Sequence, residues 1–395
     1  MMDPKQKIAA AVERLAPELI ALSHEVHAHP ELGMQERQAV AWQKTLLEKY
    51  GFVVENPCCG LDTAYRAVKG TLGKGPQIGF LSEYDALNGL GHACGHNMIC
   101  AASCGAAIAL AETLEGREGA VVLFGTPAEE TSGGKIAMAD AGAFDGLDCA
   151  MMFHPNPSEN LVGAGSLAVT DVFVEFHGTS AHSSRPALGV NALTSTLHLF
   201  AAVNAQLHLW PNKSKINGIV TAGGTAPNII PEFSACAFSM RAEKLNQLRP
   251  MYADLERLAR AAAAMTGAEL KIAHTPFCSE RYPNRPLDEA FKANMEELGE
   301  PMSWPEPDRM SGSSDIGNVS VRTPSIHPYL SLHAPGVGGH TPELREAAVS
   351  RRADEVVLLA AKGLAMTGLD VFQSPDLRAA MKADFERNAL PNRAR

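Results

Sequence analysis

The chain has 395 residues, of which 46% are hydrophobic and 20% charged, a composition that excludes global disorder. Lysine and arginine number 34 against 44 aspartates and glutamates, a formal net charge of −10. That balance gives no basic footprint for a phosphate backbone, so no nucleic-acid partner is expected. The opening run MMDPKQKIAAAVERL is charged and amphipathic rather than signal-like, and the apolar stretch 101–111 falls short of the roughly 20 residues of a bilayer span. Eight cysteines, two of them adjacent (Cys58, Cys59) and none in a CxxC, fit a reduced cytoplasmic setting without membrane contact.

In chain order, Ile8, Val12, Leu15, Leu19, Leu22 and Val26 recur at helical spacing and predict an opening helix. Beyond Gly51, residues 62–68, 77–81, 121–124 and 147–153 read as strands, and the small-residue stretches 94–114 and 131–141 as helices. Strands alternating with helices predict an α/β/α sandwich. From about Leu167 a second pattern starts with a strand through Val169, Val172, Val174 and Phe176. A helix at 190–207, strands at 216–222 and 233–240, a helix at 243–265 and a strand at 269–274 follow. This β-α-β-β-α-β order is the ferredoxin-like split motif. It predicts a separate domain inserted at 168–278, interrupting an α/β domain made of 1–167 and 279–395 that ends in an Ala/Leu-rich helix at 350–366.

Metal-binding residue types concentrate in loops that follow strand-like runs. The first loop is Gly91-His92-Ala93-Cys94-Gly95-His96-Asn97, preceded by Ser82-Glu83-Tyr84-Asp85; the second is Thr126-Pro127-Ala128-Glu129-Glu130; the third is His154-Pro155. An open α/β sheet places its crevice beyond the carboxyl ends of its strands, so the three loops can converge there. Gly339-His340-Thr341-Pro342-Glu343, before the last long helix, can close the site. Imidazole, thiolate and carboxylate suit divalent cations, and a Glu-Glu pair lets one carboxylate bind metal while its neighbour handles protons.

Other patterns lead elsewhere. His24, Glu25 and His27 lack the HExxH spacing of zincins, and residues 163–168 mimic a dinucleotide fingerprint but run into a strand pattern. Neither a GxSxG elbow nor a P-loop is present. His182 in His-Ser-Ser-Arg-Pro has the alternative reading of a turn residue capping a helix at Val190. Arg241 has the alternative of an exposed strand-end arginine. Met98, Phe277, Trp304 and Met310 are apolar candidates for a substrate pocket. Two further function classes stand beside a hydrolase: a metal-binding protein without turnover, and thiol chemistry at Cys94.

The runs LSEYDALNGLGHACGHN, FGTPAEE, FHP, HGTSAHSSRP, GGTAPNIIPE and GHTPEL occur in the order seen in the dinuclear metallopeptidase and aminoacylase family. The chain resembles its amidohydrolase branch of aminobenzoyl-glutamate hydrolases, indole-acetyl-amino-acid hydrolases and β-alanyl-lysine dipeptidase, from His27-Ala28-His29-Pro30 to the last helix. The resemblance implies two divalent ions (zinc, manganese or cobalt), with Cys94 bridging and His96, Glu130, His154 and His340 completing the shells. It implies Glu129 as general base and Asp85 as the acid that orients a ligand imidazole. It further implies that 1–167 and 279–395 form the catalytic domain and 168–278 a lid and dimerisation domain, with His182 as a lid histidine that steadies the oxyanion, commonly from the other subunit of a homodimer. Asn228 and Arg241 would hold the substrate's amide and carboxylate. The implied reaction is hydrolysis of the amide of a small N-acyl amino acid or, alternatively, a β-alanyl-type dipeptide. Asn97-Met98-Ile99-Cys100 departs from the hormone-conjugate branch, and Glu83 stands where peptidase members place a metal-binding histidine, leaving its part in ligation open.

Overall fold

The computed structural model describes residues 3–306 and 312–393. These form two compact units: one runs to Gly165 and resumes at Arg281, and the other is Ser166–Glu280.

The first unit is organised on a six-stranded sheet in the spatial order Val53–Glu55, Tyr65–Gly70, Ala120–Gly125, Gln77–Ser82, Cys149–Met151, Ser325–Ile326. The last four run parallel to one another, and Tyr65–Gly70 is antiparallel to both its neighbours. Parallel strands covered on both faces read as unbroken apolar runs, and every residue of Ala120–Gly125 is buried. Helix His96–Thr113 is apolar all round and buried along almost its whole length, as such helices must be. Its small side chains admit close neighbours: a Cβ added at Gly105 would lie 2.6 Å from Leu19 Cδ1. Helices Pro4–Ala28 and Arg351–Gln373 both pack against it.

Local chemistry sets the helix ends. Asp3 accepts from the Gln6 N–H ahead of Pro4, and Ser350 accepts from the Ala353 N–H, side-chain caps for otherwise unpaired donors. The last long helix reaches Gln373, past the expected 366, and stops at Ser374 because Pro375 pushes the preceding residue into extended backbone (φ −107, ψ 103). Residues 147–153, expected as one strand, are divided. Cys149–Met151 pairs with Gln77–Ser82, and the chain then leaves that sheet so that His154–Asn156 pairs in parallel with Tyr329–Ser331.

The second unit is a four-stranded antiparallel sheet in the order Glu269–His274, Ala168–His177, Phe233–Ala242, Lys215–Ala222. Burial alternates strictly along Phe233–Ala242, the period-two signature of a sheet with one packed face. Val172, Val174, Phe176, Phe238 and Met240 form that core with Leu199 and Val203 of helix Ala192–Gln206 and Leu248, Met251 and Leu255 of helix Leu245–Thr266. Helix Ala192–Gln206 is capped by Asn191, whose side chain accepts from the Thr194 N–H at 3.1 Å, so the capping alternative for His182 fails. Among the described residues, no helix is long and apolar enough to cross a membrane.

Candidate metal centre and active site

In the first unit, three parallel strands deliver the chemistry to one sheet edge: Gln77–Ser82 runs into Glu83 and Asp85, Ala120–Gly125 into Glu129 and Glu130, and Cys149–Met151 into His154. This is the carboxyl edge, where open α/β sheets place their sites. Gly95 precedes helix His96–Thr113 at φ 82, and a Cβ there would lie 2.5 Å from Pro155 Cγ. Glycine alone satisfies both the left-handed backbone and the close approach. The result sets Cys94 Sγ 3.4 Å from His154 Nε2.

Cys94, His96 and His154 present ligand atoms within 4.8 Å of one another, and so do Cys94, Glu130 and His340. Cys94 is common to both triplets. The imidazoles are held from behind. His96 Nδ1–H donates to Asp85, 2.9 Å from its carbonyl oxygen and 3.1 Å from Oδ1, while His154 Nδ1–H donates to the Pro155 carbonyl at 2.7 Å. Both rings therefore turn Nε2 toward the cluster. The other Asp85 carboxylate oxygen accepts from the Glu130 N–H at 3.0 Å, so one buried carboxylate fixes a ligand in each triplet. Glu130 Oε1 lies 3.4 Å from His340 Nε2 and 3.9 Å from His96 Nε2.

The donor set fits cations. His96 Nε2 and Glu130 Oε1 are buried without a hydrogen-bond partner, a condition rare in folded proteins unless something else satisfies the atom. Desolvation lowers the His154 pKa to about 4, which leaves the neutral ring a ligand needs. Desolvation also holds the Cys94 thiol up, and a bound cation is what releases that proton. Burial alone would lower His96, but its interactions with the neighbouring Cys94 and the Asp85 carboxylate hold it well above the ordinary histidine value. A proton on its Nε2 is the group a cation would displace.

Glu129 is partly buried and shares a further group with His96 and Glu130. Desolvation, then the charges of Glu83, Asp315 and Glu130, raise its carboxyl well above the usual range. The loop that carries it is strained at Ala128, a non-glycine residue at φ 58. The Ala128 N–H donates to Glu36 Oε1 at 2.8 Å, and Glu36 is fully buried. Sequence reasoning missed Glu36, as it missed the buried Lys135, whose Nζ lies 2.6 Å from both Glu83 Oε1 and Asp315 Oδ1. Glu83 Oε2 in turn lies 3.4 Å from His96 Nε2.

The remaining expected residues belong to the second unit. His182 is exposed on the two-residue strand Ala181–His182, paired with Ile229–Ile230. Its Nδ1 accepts from the Ser184 N–H at 3.1 Å and lies 2.8 Å from the Ser184 hydroxyl, so the ring proton sits on Nε2. Asn228 is beside it, its carbonyl accepting from the Ser183 N–H at 3.0 Å. Arg241 stands apart on strand Phe233–Ala242, in register with Val169 and Lys215.

Other sequence candidates have structural employment. His24 Nε2 lies 2.8 Å from Asp354 Oδ1 and His27 Nε2 lies 2.8 Å from the Arg345 carbonyl. Met98 is core, Trp304 lies under the Arg285 guanidinium and Phe277 under that of Arg249. Met310 lies outside the described residues.

Fold and site define a hydrolase of the metallopeptidase class. The profile of peptidase family M20/M25/M40 matches residues 76–361, and the chain belongs to that family. It is 36% identical over 403 residues to the Xaa-Arg dipeptidase of Mus musculus, covering 97% of this chain and 92% of that one. It is 26% identical to one of the subunits of the p-aminobenzoyl-glutamate hydrolase of Escherichia coli, covering 89% of this chain and 88% of the relative. Among solved structures, a dinuclear metal-binding peptidase of the M20 family from Bacillus subtilis shares the fold with a TM-score of 0.69 at 19% identity, over 92% of this chain and 99% of that one. The protein is an enzyme that hydrolyses amide or peptide bonds.

Proposed function

We propose that the chain is a dinuclear metal-dependent amidohydrolase that cleaves small dipeptides or N-acyl amino acids. The observation that carries this reading is the Cys94 sulfur common to two ligand triplets, with Glu129 beside them. Cys94, His96 and His154 would hold one cation and Cys94, Glu130 and His340 the other. Zinc, manganese or cobalt bound there would acidify a water and polarise the scissile carbonyl. Glu129 accepts the proton of the attacking water and returns it to the leaving amine. Burial and the neighbouring carboxylates raise its carboxyl, the direction that makes it a stronger proton acceptor. Asp85 keeps His96 and Glu130 aimed. The Nε2–H of His182 is the donor offered to the developing oxyanion, while Asn228 and Arg241 hold the substrate's amide and carboxylate.

Dipeptides with a C-terminal arginine, β-alanyl types included, are the favoured substrates, because the 36% identical relative is an Xaa-Arg dipeptidase. Likeness to the p-aminobenzoyl-glutamate hydrolase subunit supports a second reading, an acyl-glutamate substrate. A homodimer through the second unit is supported by its edge strand Lys215–Ala222, which exposes Ile219 and Val220, and by exposed Leu197, Leu207 and Leu209. Unpaired apolar edges of this kind invite a partner. A cytoplasmic setting is supported by eight free cysteines.

A hydrolysis panel tests the reading. Chelator-treated protein is reloaded with zinc, manganese or cobalt and offered Xaa-Arg dipeptides, β-alanyl dipeptides, aminobenzoyl-glutamate, indole-acetyl amino acids and N-acetyl amino acids. Metal-dependent cleavage, fastest on the arginine dipeptides, is expected. Two bound ions with no cleavage of any amide would favour a binding protein, and activity that survives metal removal but not alkylation would favour thiol chemistry.

A further inference from the structure

Lys135 opens helix Gly134–Asp140 with its side chain fully buried, an unusual place for a lysine unless it is paired. Its ammonium lies 2.6 Å from Glu83 Oε1 and 2.6 Å from Asp315 Oδ1, and its backbone N–H donates to Asp315 Oδ2 at 3.0 Å. Burial alone would lower its pKa, but Asp315, Glu83 and Glu129 more than reverse this, so the charge is kept.

Around it, Glu83, Glu129 and Asp315 each present a carboxylate oxygen within 4.8 Å of the other two. Glu83 is 1% exposed, and its Oε2 has no hydrogen-bond partner. Three converging carboxylates are the donor set that magnesium, calcium or manganese takes. With the lysine present the four side chains sum to a formal charge of −2, and without it to −3. A divalent ion seated there would engage the carboxylate lone pairs of Glu129, the ones a proton carrier must keep available.

We propose that Lys135 is a resident counter-ion that fills the Glu83–Glu129–Asp315 cage, closes it to a third divalent cation and leaves Glu129 unligated. The inference rests on the two-cation reading of the neighbouring triplets. Lys135 is thus a positioning residue: it touches no triplet ligand in its ion pairs and acts through Glu83 and Asp315.

The test counts ions. Protein is dialysed against millimolar Mn²⁺, and bound manganese is measured by atomic absorption, with thermal unfolding in parallel. The unaltered chain is expected to hold two ions, Lys135→Ala three, and Lys135→Ala/Asp315→Asn two again. Added Mn²⁺ should raise the unfolding midpoint of Lys135→Ala more than that of the unaltered chain. Two ions on folded Lys135→Ala, a third on the unaltered chain, or a third retained by the double variant would each overturn the proposal. If Lys135→Ala does not fold in metal-free buffer, Mn²⁺ must restore its circular dichroism, and absence of that rescue also overturns it. Failure of the two-cation reading shows itself separately, as fewer than two ions on the unaltered chain.

Discussion

Asp85 offers the sharpest perturbation, because a single carboxylate supports both ligand triplets. Its Oδ1 receives the His96 Nδ1–H at 3.1 Å and its Oδ2 the Glu130 N–H at 3.0 Å. Burial alone would raise its carboxyl, but the neighbouring His96 keeps it lowered and ionised. Removing a partner behind a metal ligand typically costs about 10- to 100-fold in affinity, or about 1.4–2.8 kcal/mol at about 1.4 kcal/mol per decade. Asp85→Ala removes such a partner from one ligand of each triplet, so both dissociation constants should rise by that factor. Asp85→Asn should be milder. Its one remaining side-chain oxygen can serve the Glu130 N–H that alanine leaves unpaired, whereas the Asp85 backbone carbonyl, 2.9 Å from His96 Nδ1, is kept by both variants. Competition against a chromophoric chelator at fixed pH reads both constants. An Asp85→Ala protein whose two constants stay within threefold of the parent, or in which only one ion weakens, would refute the shared-anchor argument.

Three further outcomes are expected. Glu129→Gln should keep its full metal content while turnover falls by about 10² to 10⁴, the range for a lost acid–base group; near-normal turnover would show the proton carrier to be another residue. Desolvation pushes the Asp288 carboxyl up to about 8, against about 3.9 in an unfolded chain. The unfolded chain therefore releases a proton that the folded chain keeps, and stability should fall as pH rises from about 4 to about 8. Asp288→Asn should remove that part of the slope in a plot of unfolding midpoint against pH, and an unchanged slope would contradict the assignment. Mixing His182→Ala with Glu129→Gln protomers should restore activity in heterodimers if His182 serves the partner's site; no recovery would contradict that arrangement.

Much of this was legible in the sequence, for identifiable reasons. Helix His96–Thr113 announced itself because small apolar residues cover every face. The candidate loops stood out because metal-binding residue types gather after apolar strands, and the structure brings Glu130 and His154 to the sheet edge where Cys94 lies. The change of sheet after Met151 was not legible, because the apolar run from Cys149 to Phe153 carries no break at the point where pairing passes from Gln77–Ser82 to Tyr329–Ser331. The supports behind the site were also hidden. Glu36 meets Ala128 across 92 residues and Lys135 meets Asp315 across 180. A lone Glu or Lys in a polar stretch gives no local sign that it will be buried and paired with a distant segment. His340, reached through the GHTPEL resemblance, shows the converse: a stretch of ordinary loop composition becomes informative only beside a known pattern.

The central claim is a pair of cations that share one sulfur. Crystals grown with zinc or manganese, measured at the metal absorption edge, test it most directly. The account predicts two anomalous peaks, one within bonding distance of Cys94, His96 and His154 and the other of Cys94, Glu130 and His340, with the Cys94 sulfur between them. A single peak, or two peaks neither of which touches Cys94, would contradict it.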